Sequence, residues 1–436
     1  MKKWVLLLLV PILSLWAQIP SLPVAKPQMK AHAVGKAPIS VPHARPSLKN
    51  PSSKSPYTLV HVFGPPSGHG KVLAMEIVDD LVYMATQKGL HIYDIADKKH
   101  PKNENYLWNL KNIRYLGLLD STTLLAWREM EKDAIAKQYN GMQKESFDAL
   151  DIHAPTRPYA AGTKVFYLYD HENACQLLHR KSLKDIAKKH HIELLNDRDF
   201  GYPRYTVLRG DDIYLLGTFG IAHFKHSLKN VQYEGGSTTA HAFELKTFFD
   251  APEHLDNWHC KKCKGHCQDN FIYAGSYMVV GYRNVITSYG IFDRDLNLIA
   301  RHDRPGRTAA AKEIGDDLYL FRYPVQNHAI VVDKIGREGH GHQMALYRPK
   351  QPFSVDFGEA SLKIVGDRLF LYGRVEQANH SPKYAIVEMA LEDGFRPKEI
   401  ATLHLGSHQI VQIDVRGSYL YVLCDDALRI FRKEDE

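Results

Sequence analysis

Gly210-Asp211-Asp212-Ile213-Tyr214-Leu215 and Gly315-Asp316-Asp317-Leu318-Tyr319-Leu320 are two copies of one local pattern: a turn, then a strand of alternating apolar and aromatic residues. Gly with Asp supplies a tight hairpin turn, and the β-branched and aromatic alternation suits a sheet packed on both faces. Gly366-Asp367-Arg368-Leu369-Phe370-Leu371 and Gly417-Ser418-Tyr419-Leu420-Tyr421-Val422 follow the same line. Gly275-Ser276-Tyr277-Met278-Val279-Val280 and Val78-Asp79-Asp80-Leu81-Val82-Tyr83 fit with small changes, and Asp120-Ser121-Thr122-Thr123-Leu124-Leu125 is the weakest copy. Most copies are followed by a second strand ending in Asp, such as Gly89 to Asp94, Val165 to Asp170 and Ala329 to Asp333.

The turn positions 78, 120, 210, 275, 315, 366 and 417 are separated by at least forty residues, enough for four strands each. Four-stranded units repeated radially are the signature of a β-propeller. The chain's ends give an independent check. After Ala427-Leu428-Arg429-Ile430-Phe431 only Arg432 to Glu436 remain, so the seventh sheet lacks an outer strand. Tyr57-Thr58-Leu59-Val60-His61-Val62-Phe63 is an orphan strand before the first repeat, and placing it there would complete the ring and cover an exposed edge. The expected fold is therefore all-β, a seven-bladed β-propeller over residues 57–436 closed by an N-terminal strand. A two-sheet sandwich, the competing architecture, has no use for that arrangement.

The stretch Val78 to Pro101, with Leu81-Val82-Tyr83-Met84-Ala85 and Gly89-Leu90-His91-Ile92-Tyr93-Asp94-Ile95-Ala96-Asp97, resembles the LVIVD repeat of bacterial and archaeal cell-surface proteins. The likeness covers that one unit, with fragments in the other six. Its end, Asp97-Lys98-Lys99-His100-Pro101, departs from that family's usual Asp-Pro-x-x-Pro turn. The resemblance implies a propeller at the cell surface or in the periplasm, and no catalytic residue.

The full chain has 436 residues, of which 44% are hydrophobic and 24% charged, which excludes a mostly disordered chain and a multi-span membrane protein. Of the 56 Lys and Arg, Lys2, Lys3 and six more between residues 18 and 64 lie where no Asp or Glu occurs. The remainder holds 48 basic against 49 acidic residues, too balanced for a nucleic-acid groove.

Met1-Lys2-Lys3, the apolar run Trp4 to Leu15 and Trp16-Ala17-Gln18 read as a secretory signal peptide over 1–17, with cleavage expected after Ala17. An uncleaved anchor is the alternative, although the run is short for a bilayer of ~30 Å. Residues 18–56 carry eight prolines among Lys, Ser and Ala, and read as an extended disordered tether. Membrane contact is expected only through the leader or this basic tether. A periplasmic or secreted location and a monomer are expected.

Strand alternation places the second-to-third-strand loop and the blade-to-blade connection on one face. The longest insertions, 127–162, 181–203 and 246–270, fall in those classes, as does Gly373 to Lys383; the segment His226 to Thr238 falls on the other face. Ser182 to Ile192 has helical spacing with Ser182 as N-cap, the reading of a surface helix over a blade connection. Several insertions on one rim of a rigid scaffold make a binding face.

Five cysteines are present: 175, 260, 263, 267 and 424. Three sit in Trp258-His259-Cys260-Lys261-Lys262-Cys263-Lys264-Gly265-His266-Cys267. Three readings stay open. A disulfide among them suits an oxidising compartment and leaves one thiol over. Cys260, Cys263 and Cys267 with one imidazole from His259, His254 or His266 match the four ligands of structural Zn, and the soft sulfurs suit Cu(I) equally. Cys260-Lys261-Lys262-Cys263-Lys264 also resembles the Cys-x-x-Cys-Lys haem attachment of some nitrite reductases, without the apolar pocket that haem needs. Cys175 and Cys424 read as buried thiols. His223, His226 and His241 read as lining strand faces, and His340-Gly341-His342 as a turn.

No nucleophile elbow, zinc-protease helix, phosphate loop or paired-carboxylate motif is found, so no catalytic residue is assigned. The functional expectation is an exported, non-enzymatic scaffold binding a protein, a cell-envelope polymer or a metal-bearing partner. The alternative is a periplasmic propeller hydrolase or oxidoreductase using channel residues and the cysteine loop.

Overall fold

A computed structural model describes residues 55–120, 123–129, 142–151, 164–168, 193–194, 205–216, 220–233, 236–250, 268–282, 288–304, 307–325, 328–354, 360–375 and 382–434. Strand β1 (Tyr57–Phe63) precedes the first complete sheet, which contains β2 (Val72–Val78), β3 (Leu81–Thr86), β4 (Gly89–Asp94) and β5 (Lys102–Leu107). The next holds β6 (Ile113–Asp120), β7 (Thr123–Glu129), β8 (Met142–Asp151), β9 (Lys164–Leu168) and β10 (Glu193–Leu194). It is followed by β11 (Tyr205–Arg209), β12 (Asp212–Leu216), β13 (Gly220–Tyr233) and β14 (Gly236–Asp250). Then come β15 (Gln268–Ala274), β16 (Tyr277–Tyr282), β17 (Ser288–Phe292) and β18 (Leu298–Asp303). Another sheet comprises β19 (Arg307–Ile314), β20 (Asp317–Val325), β21 (Ala329–Ile335) and β22 (Gly341–Tyr347). The last two are β23 (Ala360–Val365), β24 (Arg368–Val375), β25 (Lys383–Glu392) and β26 (Arg396–Gly406), and β27 (Ile410–Arg416), β28 (Tyr419–Cys424) and β29 (Leu428–Lys433) joined by β1.

Among the described residues there are thus seven sheets and no α-helix. Six have the expected four strands; the β6–β10 sheet has five, with β10 running parallel to β9. Strand β1 pairs antiparallel with β29, from Tyr57 opposite Lys433 to Phe63 opposite Leu428. The turns between first and second strands fall where the repeated signature puts them. Gly210, Gly275, Gly315, Gly366 and Gly417 all take φ between 53° and 62°, the left-handed region in which glycine has no Cβ penalty. Asp79 takes the same conformation at φ 51°, which a short polar side chain tolerates.

Among the described side chains, the second strands and the third strands β4, β21 and β25 are buried on both faces along most of their length, so alternate residues serve different neighbours. Tyr83 and Ala85 of β3 pack with Leu124 and Ala126 of β7, whereas Val82 and Met84 pack with Leu423 and Ile430 of β28 and β29. Equivalent clusters join Trp127 to Phe224, Tyr214 to Phe292, Ile291 to Leu320, Phe321 to Leu371, and Phe370 to Val422. Each sheet therefore shares an apolar cluster with the sheet before it and the sheet after it. Full burial of each such side chain is worth about 1.5–3 kcal/mol, which makes these interfaces the main source of stability. The architecture is a β-propeller.

Several expectations need correction. Residues 127–162 are not one insertion. Strand β7 continues to Glu129, and Met142–Asp151 is β8, the third strand, with Leu124 opposite Leu150. Buried Leu150 is its apolar anchor. Val165 to Leu168 consequently belongs to the fourth strand, β9, rather than to a second strand of its own pattern. Residues 181–203 include β10 instead of being wholly a connection, and 246–270 shrinks to 251–267 because β14 runs to Asp250 and β15 starts at Gln268. The segment around His226 to Thr238 is the outer part of the long β13–β14 hairpin, paired as far as Tyr233 opposite Gly236. The helix expected over 182–192 lies outside the described residues.

Candidate binding site in the channel

The first strands β2, β6, β11, β15, β19 and β23 contact one another in succession, β27 contacts β2, and Lys363 on β23 bonds Ile413 and Asp414 on β27, so the first strands line the axis. An apolar-aromatic strand leaves few polar atoms there, yet two residues before the end of each first strand the sequence has Glu76, Lys312, Lys363 and Asp414 in four sheets. These side chains reach sideways to the adjacent sheet. Lys312 Nζ donates to Gly366 O at 3.1 Å and to Asp367 at 2.7 Å. Lys363 Nζ donates to Ile413 O at 2.7 Å and to Asp414 Oδ1 at 3.0 Å. Arg416 donates to Ile77 O and, through Nε, to Asp414 Oδ2 at 3.0 Å. Gln412 makes a two-way bridge to Met75: its Nε2 donates to Met75 O at 3.0 Å, and Met75 N donates to its Oε1 at 3.1 Å.

Where β23, β27 and β2 meet, Glu76, Lys363, Gln412, Asp414 and Arg416 line a pocket of about 200 Å³. Its two carboxylates are placed differently. Asp414 accepts from both Lys363 and Arg416, and although burial opposes its charge, the two cations outweigh burial and hold it below the usual carboxylate range. Glu76 has its nearest cation, Arg416 Nη2, only at 4.0 Å, with that guanidinium turned to Ile77 O and Asp414. Burial, followed by the Asp414 charge, pushes the Glu76 carboxyl up to about 7. Tyr115 on β6 is pushed up as well, by burial and then by Glu76. The pocket thus presents an underused acceptor beside two cations with donors to spare.

A second polar feature fastens β1. Glu388 on β25 is fully buried and accepts from Tyr57 Oη at 2.6 Å, Lys433 Nζ at 3.0 Å and Arg368 Nη1 at 3.1 Å. One carboxylate therefore links β1, β29 and β24. In the first complete sheet, His69 in the β1–β2 connection meets buried His91 on β4, Nδ1 to Nε2 at 3.1 Å, and both rings pack on Tyr106. Burial and then His69 lower His91 to about 4, so this ring is neutral over the physiological range.

Of the residues singled out for metal, Cys260, Cys263, Cys267 and His259 lie outside the described residues, as do His254, His266 and Cys175. Cys424 is a free, buried thiol pushed up to about 11 by burial. His223 stacks on Tyr214 and bonds Asp212 at 2.8 Å, and His226 is buried against Phe243, so both line strand faces. His340 and His342 are exposed. Among the described residues no group of three or more His, Cys, Asp or Glu is placed to hold a metal ion. Among them, too, no helix is long and apolar enough to cross a membrane.

No family model matches the chain, the LVIVD repeat included, and no curated relative matches it. Solved structures to which it is similar include the computationally designed protein Ika8, at 8% identity and a TM-score of 0.46 over 84% of this chain and 96% of that one. BamB from Moraxella catarrhalis matches at 10% identity and a TM-score of 0.44, over 86% of this chain and 99% of that one. Virginiamycin B lyase from Staphylococcus aureus gives the same identity, TM-score and coverages.

Proposed function

We propose that this is an exported, seven-bladed β-propeller, its last blade completed by β1, that acts as a rigid binding scaffold for a protein or a cell-envelope polymer. One observation carries the reading. The axial cations Lys312, Lys363 and Arg416 each bond the next sheet, so charge in the channel holds the ring together. A ring fixed in this way presents its loops in constant relative positions, which lowers the ordering cost of recognition. The partner docks on the rim toward which the second-to-third-strand loops and the blade-to-blade connections run. The leader directs export and the Pro-rich segment tethers the ring.

A second reading, catalysis in the channel, is favoured by Glu76 alone, a carboxyl near 7 in a cleft.

Cell fractionation with N-terminal sequencing tests export: the expected mature chain starts at Gln18 outside the cytoplasm, and an intact cytosolic chain overturns it. Cross-linking in intact cells tests docking. Cross-links should join one partner to rim residues and vanish when 251–267 is deleted; an unchanged cross-link pattern removes that rim from the account.

A further inference from the structure

The channel pocket lies at the end of the first strands next to the tight turns, the end opposite the insertion rim. It is separate from the proposed docking face, and its chemistry is independent of the scaffold reading. We propose that this pocket binds a small zwitterion of the α-amino-acid class, with the ligand ammonium against Glu76 and its carboxylate against Arg416 and Lys363.

Charge balance and hydrogen-bond capacity both lead there. With Glu76 ionised, the form that a neighbouring ammonium selects, Lys363, Arg416, Glu76 and Asp414 sum to zero, so a further lone cation or lone anion would leave net charge in a partly enclosed space. A dipolar ligand leaves none. Lys363 has three donors and spends two, on Ile413 O and Asp414. Arg416 has five and spends two, on Ile77 O and Asp414. Those spare donors match a carboxylate in charge-assisted bonds. On the other side of the pocket Glu76 lacks a directly bonded cation, its nearest being at 4.0 Å, and an ammonium group supplies one. A pocket of about 200 Å³ holds an amino acid with a small side chain and excludes a folded partner. The raised Glu76 carboxyl adds a signature: an ammonium beside it displaces its proton, so binding at neutral pH releases protons to the buffer.

The test is titration calorimetry of the full-length protein at pH 7 in two buffers of different ionisation enthalpy, with glycine, L-alanine and L-serine against methylammonium and acetate. Binding at about 1 mM or tighter is expected for the zwitterions, with proton release, and at least about tenfold weaker binding for either single ion. Glu76→Gln should weaken the zwitterions by about tenfold or more while its melting temperature shows that it folds. Lys363→Gln should do the same from the carboxylate side. The proposal is overturned if no zwitterion binds at about 10 mM, if acetate or methylammonium binds equally well, or if Glu76→Gln binds like the parent.

Discussion

Glu388 shows what one buried carboxylate can do in this ring. It is inaccessible to solvent and holds Tyr57, Arg368 and Lys433 from three strands. Glu388→Gln keeps the shape and removes the charge, so two cations lose their counter-ion. Breaking a buried pair costs about 3–5 kcal/mol, and because Arg368 and Lys433 keep partial solvent access the expected loss is nearer about 2–3 kcal/mol. Denaturant titration measures it; a loss under about 0.5 kcal/mol would show that the clasp is idle. Glu76 predicts an opposite effect with a definite pH sign. Its folded value near 7 exceeds the ordinary 4.5, so between those values the folded chain holds a proton that the unfolded chain has lost. Stability therefore falls as pH rises from about 4.5 through about 7. Glu76→Gln lacks this dependence and should gain about 3 kcal/mol on the parent between pH 4.5 and pH 8. Equal pH profiles for the two proteins would refute the assignment. Neither residue was legible as functional in the sequence. Glu76, Lys363 and Asp414 are scattered along the chain, and only aligning the first strands on their turns reveals that each occupies the same place.

At the scale of elements, the turn signature was readable because it depends on local chemistry: left-handed backbone at Gly210 or Gly315, then apolar alternation. Strand β8 was unreadable for the complementary reason. Met142–Asp151 carries the unbroken polar run Gln143 to Ser146, and it is a strand because β7 offers an edge and Leu150 fills an apolar gap, which are tertiary causes. The β13–β14 hairpin likewise outgrows the strand beside it, since β12 starts at Asp212, opposite Lys225, while β13 continues to Tyr233. Strand β1 is the element whose removal has the clearest consequence. Tyr57, Val60 and Phe63 join the apolar clusters on either side of the β27–β29 sheet, whereas Leu59 and Val62 are exposed. Deleting 57–63 should cost about 3 kcal/mol or more, from buried Tyr57 and the partly buried Val60 and Phe63, full burial of one such side chain being worth about 1.5–3 kcal/mol. It should also bare the β29 edge and promote aggregation. Leu59→Ser, at a solvent-facing position, should stay within about 0.5 kcal/mol of the parent. Thermal melts with light scattering separate these outcomes; a deletion as stable and soluble as the parent would mean that β1 is dispensable.

At the scale of the whole molecule, the strongest consequence concerns the place where the sheets' chain ends meet. Because β1 and β29 are antiparallel neighbours, the start of one lies beside the end of the other, and Glu434 N donates to Pro56 O at 2.8 Å. In a ring, each sheet has a neighbour on both sides, so no covalent break between sheets is privileged. An open stack would instead have two terminal sheets with uncovered faces. A circular permutant distinguishes the two. Joining Glu434 to Ser55 through a short Gly/Ser linker, and opening the chain within 376–381, moves the termini to the loop between β24 and β25 and leaves every inter-sheet cluster in place. A connection between two strands tolerates such an opening, so the permutant should unfold in one transition within about 2 kcal/mol of the parent. The same permutant with β1 removed should lose as much stability as the linear deletion, because the lost contacts are identical. If the permutant fails to fold while the linear chain without β1 remains stable, the joint between first and last strands is not what holds the sheets together.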